Sequence, residues 1–286
     1  MAVSEWKEPN PVAPLRPEEF QRICELAKRT FGLDLRSGKE ELVSARLRRL
    51  VQRGGLRSFD QYYRHVTEDR TGVALAAMID ALTTNHTSFL REAEHFTFLR
   101  EHVVPRLKGR PTVNIWSAAC STGEELWTLA MILNEAMPAA RLQLVGTDIS
   151  NRALKSAAEA RYSAERCAAL PAPWLARYLA PEGRPATSYR VAPELRRQAS
   201  FRRLNLTESY DWPHLFPVIF CRNVMIYFDG PVQELVVRRL PEFLEPGGYL
   251  FVGHAESLTR IDHKLEYLQP AIYRKPAGKE RWTRSS

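Results

Sequence analysis

Residues 113–125 read VNIWSAACSTGEE. The apolar run Val113–Ala118 suits a short buried strand, and the small residues from Ala118 to Gly123 suit a tight turn. Glu124 and Glu125 then open a helix predicted over Gly123–Met137. The same pattern recurs downstream. Leu142–Thr147 reads as a strand and Asn151–Ala160 as a helix; Val218–Arg222 reads as a strand, Pro231–Leu244 as a helix and Tyr249–Gly253 as a strand. Such alternation predicts a mainly parallel sheet with helices on both faces. Ligands of these sheets bind beyond the carboxyl ends of the strands, near the switch in strand order. The residues that follow each strand therefore carry the chemistry.

Upstream, residues 18–80 read as a small helical bundle. Phe20, Ile23, Cys24, Ala27 and Phe31 recur at helical spacing before Gly32; Val43, Leu47, Leu50 and Val51 repeat the pattern over Lys39–Arg53. Ser58 with Gln61 resembles a capping box, opening a helix that buries Phe59, Tyr62 and Tyr63. A fourth helix is predicted over Val73–Leu82. Farther along, residues 161–205 break this rhythm: Ser188–Val191, Glu194–Arg196 and Ser200–Leu204 read as short strands with polar turns, either a small antiparallel insertion at about residues 187–204 or a long, decorated loop.

The chain has 286 residues, 44% hydrophobic and 26% charged, enough for a large and a small domain. No apolar run approaches the roughly 18–20 residues that span a bilayer. Residues 1–17 are polar, with Pro9, Pro11, Pro14 and Pro17 and no apolar stretch; they read as a flexible lead-in and not as a secretory signal. Cys24, Cys120, Cys167 and Cys221 are scattered without a CxxC pair, which argues against a zinc site or a disulfide framework and fits a reducing cytoplasm. The net charge of +8 suggests an acidic partner, be it nucleic acid, an anionic membrane surface or an acidic protein segment.

The turn Ala118–Glu125 holds one glycine, so the GxGxxG dinucleotide pattern is absent, and its two glutamates oppose phosphate by charge. They suit a ligand with a positive centre, or simply complement the helix dipole. Asp148, after the second strand, is placed to accept both hydroxyls of a ribose, or to cap the next helix. Together the two turns favour a nucleoside without a phosphate tail. S-adenosylmethionine matches, with ribose, adenine and a cationic sulfonium. After Val218–Phe220 comes CRNVMIYFD, residues 221–229, where a substrate would meet the methyl group. DNA and RNA amino-methyltransferases commonly carry Asn/Asp-Pro-Pro-aromatic here, and no prolines follow Asn223. A nucleic-acid methyltransferase is therefore favoured by the positive charge alone. The other alternative is a non-catalytic binding module that keeps the fold.

At these residues the sequence resembles the chemotaxis receptor glutamate O-methyltransferases, the CheR family. The likeness is carried by Ala81–Glu92 (ALTTNHTSFLRE), Trp116–Glu125 (WSAACSTGEE), Thr147–Ser150, Phe201–Leu206, Ile219–Asp229 (IFCRNVMIYFD) and Pro246–Leu258 (PGGYLFVGHAESL), in family order. The resemblance implies an α/β, Rossmann-like S-adenosylmethionine-dependent methyltransferase domain with a small antiparallel β-subdomain, preceded by a small all-α domain. Its divisions would be the helical domain at 18–80, a linker at 81–100 that contributes to the cofactor site, the methyltransferase domain at 101–276 and a flexible tail at 277–286. Cofactor contacts are implied for Asn85, Thr87 and Arg91 in the linker, Glu124 in the first turn, Asp148 at the ribose, and Asn205, Leu206, Arg222 and Asn223 around the pocket. Arg91 and Tyr227 would be catalytic, Arg91 positioning the incoming carboxylate or the cofactor and Tyr227 lying beside the transferred methyl.

The activity so implied is methylation of glutamate side chains of chemotaxis receptors, a cytoplasmic step of signal transduction that serves sensory adaptation. S-adenosylhomocysteine would be the product. The implied partners are the receptors' cytoplasmic methylation helices and, as a further candidate at the β-subdomain, a receptor C-terminal tether; neither nucleic acid nor membrane insertion is implied. The sequence departs from the family pattern at Leu90 (a second Phe is usual), Leu126-Trp127 (Pro-Tyr), Pro217 (Asp) and Ala255 (Ser), none of them a carried-over contact.

Arg46, Arg49 and Arg53 fall at i, i+3 and i+7, a basic stripe beside the apolar face of the second helix. The stripe reads as a solvated face or as a dock for the acidic methylation helices. The seven histidines show no ligand spacing, His254 reads as a packing or hydrogen-bonding residue, and no metal is expected.

Overall fold

A computed structural model describes residues 12–35 and 38–278. The chain divides into two compact units, Met1–Thr84 and Asn85–Ser286. In the first, the predicted helices form as α1 (Pro17–Phe31), α2 (Glu40–Arg53), α3 (Phe59–Glu68) and α4 (Val73–Leu82). Gly32, at φ 76°, ends α1 in the left-handed conformation that glycine adopts without a Cβ penalty. Ile23, Ala27, Val43, Leu47, Val51, Phe59 and Tyr62 are buried, whereas Tyr63 is half-exposed beneath the Arg22 guanidinium. The Ser58 side chain accepts from the Gln61 amide as expected; the reciprocal bond runs to the Arg57 amide instead of that of Ser58.

Two readings of this unit change. Residues 12–16, expected within a flexible lead-in, are held: Val12 is buried, its carbonyl accepts from Arg48, and the Ala13 amide donates to the Arg57 carbonyl. The remaining lead-in residues 1–11, and 279–286 of the expected tail, lie outside the described residues. The basic stripe also divides. Arg46 donates to the Leu82 carbonyl and to the Thr84 hydroxyl at 2.9 Å, securing the end of α4, while Arg49 and Arg53 are exposed.

The second unit runs α5 (Ala93–Phe98), a π-helical turn Leu99–Val103, α6 (Val104–Leu107), β1 (Thr112–Ala118), α7 (Glu124–Ala136), β2 (Arg141–Asp148) and α8 (Asn151–Glu159). It continues with β3 (Arg161–Ser163), α9 (Ala164–Cys167), α10 (Ala172–Tyr178), β4 (Leu179–Glu182), β5 (Ser188–Val191), α11 (Pro193–Arg196) and β6 (Ala199–Arg203). It ends with β7 (Phe216–Cys221), α12 (Gly230–Arg239), β8 (Leu244–Val252), β9 (Glu266–Gln269) and β10 (Ile272–Arg274). The main sheet has the order β6-β2-β1-β7-β8-β10-β9. Strands β6 to β8 are parallel; β10 and β9 add an antiparallel edge.

Alternation along each strand builds two cores. Ile115, Val218, Phe220 and Phe251 join the helix α7 side, with Leu129 and Leu133. Trp116, Ile219, Cys221, Leu250 and Val252 join the α12 side, with Val236 and Val237. Pro217 cannot donate to the ladder, and the β7–β8 register shifts between Phe216 and Val218. Because β2 and β7 flank β1 on opposite sides, the strand order switches at the carboxyl end of β1.

The expected insertion at 187–204 is corrected. The antiparallel sheet is β3-β5-β4, spread over 161–191. Glu194–Arg196 is a helical turn, opened by Pro193 at a position where its fixed φ suits a helix. Ser200 and its neighbours form β6, which pairs in parallel with β2 from Leu144↔Ala199 to Asp148↔Arg203. Among the described residues, no helix is long and apolar enough to cross a membrane.

Candidate active site

The turn from β1 to α7 holds Ala119, Ser121 and Gly123 at φ 65°, 52° and 95°. Left-handed backbone costs roughly 1–2 kcal/mol at a residue with a Cβ, so the turn needs outside support. It comes from β2: the Cys120 amide donates to the Thr147 carbonyl at 2.8 Å, and the Ser121 amide to the Asp148 carboxylate at 2.9 Å. A Cβ at Gly123 would lie 2.9 Å from that of Ala157, so only glycine lets α8 approach. Asp148 also accepts from the Ser150 amide at 2.9 Å, and the helix α8 cap is Ser150, whose hydroxyl accepts from Ala153. Asp148 is therefore a brace between two strand-end turns and not the helix cap. The linker joins the same group: the Asn85 amide reaches the Ser150 hydroxyl at 3.4 Å, and its carbonyl accepts from the Ser121 hydroxyl at 3.1 Å.

A second group forms at the end of β7. The Arg222 side chain, 1% exposed, donates to Glu125 and Glu92, each at 2.9 Å, and to the Arg91 carbonyl at 2.6 Å. The Asn223 amide, on a residue at φ 57°, holds the other Glu92 oxygen at 3.0 Å. Burial raises the Glu92 carboxyl, but the bonds from Asn223 and Arg222 and the Arg222 charge prevail and bring it down to about 2. Burial dominates at Glu125, which is pushed up despite Arg222 and the Ser117 hydroxyl. Removing one partner from a buried pair costs about 3–5 kcal/mol, because the other charge stays behind.

Glu256 organises the loop that follows. It is 6% exposed and accepts from the backbone amides of Gly253 (2.6 Å), Asn223 (2.7 Å), Met225 (2.7 Å) and Ile226 (3.3 Å). These bonds tie the end of β8 to the loop carrying Asn223 and Tyr227. Burial pushes its carboxyl up while the four N–H donors pull it down, for a net rise. A Cβ at Gly253 would lie 2.6 Å from the Asn223 amide and 2.7 Å from the Glu256 carboxylate.

The sequence-predicted residues thus fall into distinct groups. Asn85 and Asp148 meet at the first turn, and Arg222 and Asn223 at the second group. Thr87 and Arg91 are half-buried in the linker, where the Arg91 guanidinium donates to the His86 carbonyl at 2.8 Å. Leu206 is buried in the α12-side core, and the Asn205 side chain closes a turn with Thr207 and Glu208. Tyr227 is half-buried on the 3-10 turn Met225–Tyr227. Glu124 is fully buried and accepts from Thr122 and Arg166, so Arg166 meets the positive-centre role that charge suggested for a ligand. Neither Glu92 nor Glu256 is among the sequence-predicted site residues, and Glu125, offered in the sequence to a positively charged ligand, is paired by the structure with Arg222. Their partners lie 97–131 residues away for Glu92 and Glu125, and no spacing rule reaches that far. His254, read as a packing residue, lies against His95, with ring centres 4.8 Å apart.

Residues 85–273 match the family described as CheR methyltransferase, SAM binding domain, and residues 18–83 its all-alpha domain. The chain belongs to the CheR methyltransferase family. CheR relatives span it nearly end to end. A chemotaxis protein methyltransferase of Borreliella burgdorferi is 34% identical over 90% of this chain and 94% of its own. Chemotaxis protein methyltransferase 2 of Pseudomonas aeruginosa is 37% identical over 90% and 92%, and the Escherichia coli protein 35% over 91% of each. The cofactor of this CheR domain fits the donor set found here. The first turn offers backbone groups and the Asp148 carboxylate, which suit the hydroxyls of a nucleoside, while its Glu124 is taken up by Arg166.

Proposed function

We propose that this protein transfers a methyl group from S-adenosylmethionine to glutamate side chains on the cytoplasmic methylation helices of chemotaxis receptors. The carrying observation is that the linker, the β1 and β2 turns and the β7 loop converge through Asn85, Asp148, Arg222 and Glu92 at the strand-order switch. The cofactor, when bound, supplies an electrophilic methyl group. The chain's own residues do the rest. Asp148 takes the ribose hydroxyls; Asn85, Thr87, Arg91, Asn205, Leu206 and Asn223 enclose the ligand. Arg222 acts by holding the Arg91–Glu92 segment in place. Glu124 would contact the ligand only if its pair with Arg166 opened.

A glutamate carboxyl ionises near pH ~4.3, so the nucleophile is already an anion at neutral pH and needs neither a general base nor a metal. Catalysis then consists of alignment and exclusion of water. Arg91 guides the incoming carboxylate, and Tyr227 packs beside the methyl. Arg49 and Arg53 attract the acidic methylation helices. A receptor's C-terminal tether is a further partner at the β3-β5-β4 sheet, whose outer strands β3 and β4 offer edges for strand addition. The work is done in the cytoplasm, where methylated receptor and S-adenosylhomocysteine are released.

The protein incubated with methyl-labelled cofactor and a receptor cytoplasmic fragment should yield label that base hydrolysis releases as methanol. Base-stable label would mean N-methylation and overturn the carboxylate assignment; cofactor binding without transfer would mean a binding module.

A further inference from the structure

Glu92 and His95 stand three residues apart, and His254 follows the end of β8. One ligand atom from each lies within 4.8 Å of the others. His95 is 1% exposed, and among the described residues neither ring nitrogen has a hydrogen-bond partner. A buried polar group left so costs about 1–3 kcal/mol, which marks the ring as built for something it does not meet among the described residues. Its Nδ1 lies 3.5 Å from Glu92 Oε2. The carboxylate is already oriented by Asn223 and Arg222 at 3.0 and 2.9 Å, as metal-binding carboxylates commonly are. Glu-x-x-His is also a spacing by which helical proteins present a carboxylate and an imidazole to one ion. His254 is exposed, which provides a way in and an open position for water.

We propose that Glu92, His95 and His254 form a Zn2+ site whose occupancy restrains methyl transfer. Two imidazoles and a carboxylate suit zinc, whereas calcium and magnesium call for oxygen donors alone. Bonds of about 2.0–2.2 Å in a tetrahedron bring the ligand atoms to ~3.4 Å of one another. The exposed His254 side chain supplies most of that closure. The Arg222 cation beside the site weakens binding, so the ion is a reversible occupant and not a resident cofactor. Restraint follows because Glu92 Oε2 would be shared between the ion and the guanidinium that also holds the Arg91 carbonyl. This inhibitory part rests on the function proposed above; the binding part does not.

The test is calorimetry with Zn2+ on the full, untagged chain and on His254→Ala, followed by receptor methylation with and without the ion. The wild type should bind one equivalent and lose activity, with recovery on chelation. His254→Ala should bind at least about tenfold more weakly, keep its metal-free activity and ignore zinc. Equal affinity in the two proteins, or no binding in either, overturns the site. Binding that depends on His254 but leaves methylation untouched overturns the restraint. If neither protein methylates receptor yet their zinc affinities differ, the proposed function fails and the site stands.

Discussion

In the helical unit, Arg64 pairs with Asp60 at 2.9 Å while its side chain stays 69% exposed; at the end of β7, Arg222 is 1% exposed and holds two glutamates. The bond lengths are alike, but the consequences are not. An exposed pair competes with water and salt and contributes little. A buried one leaves uncompensated charge when broken. The helical unit buries apolar residues of α1–α4 and leaves most of its charged side chains outside, Glu19 excepted. The strand-end unit spends burial on charge to hold its loops in place.

The largest test of this contrast is Arg222→Met. It should destabilise the second unit by about 3–5 kcal/mol and abolish methyl transfer, read by denaturant unfolding and by the receptor assay. A loss no greater than that of an exposed-pair variant such as Arg64→Met would erase the distinction. Next comes Glu256→Gln, whose amide turns an NH2 toward backbone donors and leaves some of them unmet, at about 1–3 kcal/mol. Turnover should fall more than receptor KM rises, because Asn223 and Tyr227 ride on the released loop.

Effects on the exposed side are smaller. Arg49→Ala with Arg53→Ala should reduce receptor methylation by up to about tenfold at low salt, with the gap closing as salt screens the attraction, and should leave the unfolding midpoint unchanged. Equal activity at low salt would return the stripe to a solvated face. The smallest effect concerns Asp69, whose carboxyl is lowered to about 2 first by the Thr71 hydroxyl, then by the Ala74 and Thr71 amides. A lowered folded value stabilises above the unfolded value of about 3.9 and is lost as pH falls toward 2. Asp69→Asn should therefore unfold slightly more easily than wild type at pH 5, with the difference gone near pH 2.

Much of this was legible from local pattern. The predicted helix Val73–Leu82 and strand Ser188–Val191 form with those bounds, and the Asn85 and Asp148 positions meet where the strand ends place them. Other features were not. Ser200–Leu204 was recognised as a strand but assigned to the wrong sheet, because period-two alternation does not say which open edge a strand joins. Glu124 and Glu125 looked equivalent in sequence, yet one turns to Arg166 and the other to Arg222. By sequence Asp148 was eligible to cap α8, yet Ser150 takes that place and Asp148 is drawn into the longer-range bond with Ser121.

By itself the sequence determined the alternation of strands and helices and the family, since each is carried by short motifs of residues a few positions apart. Only the tertiary structure decided that Glu92, Glu125 and Arg222 share one buried knot, that Glu256 ties down the β7 loop, and that His95 and His254 face one another. Those pairings join residues up to 159 positions apart, His95 with His254, and burial of charge becomes visible only once the chain has closed around it.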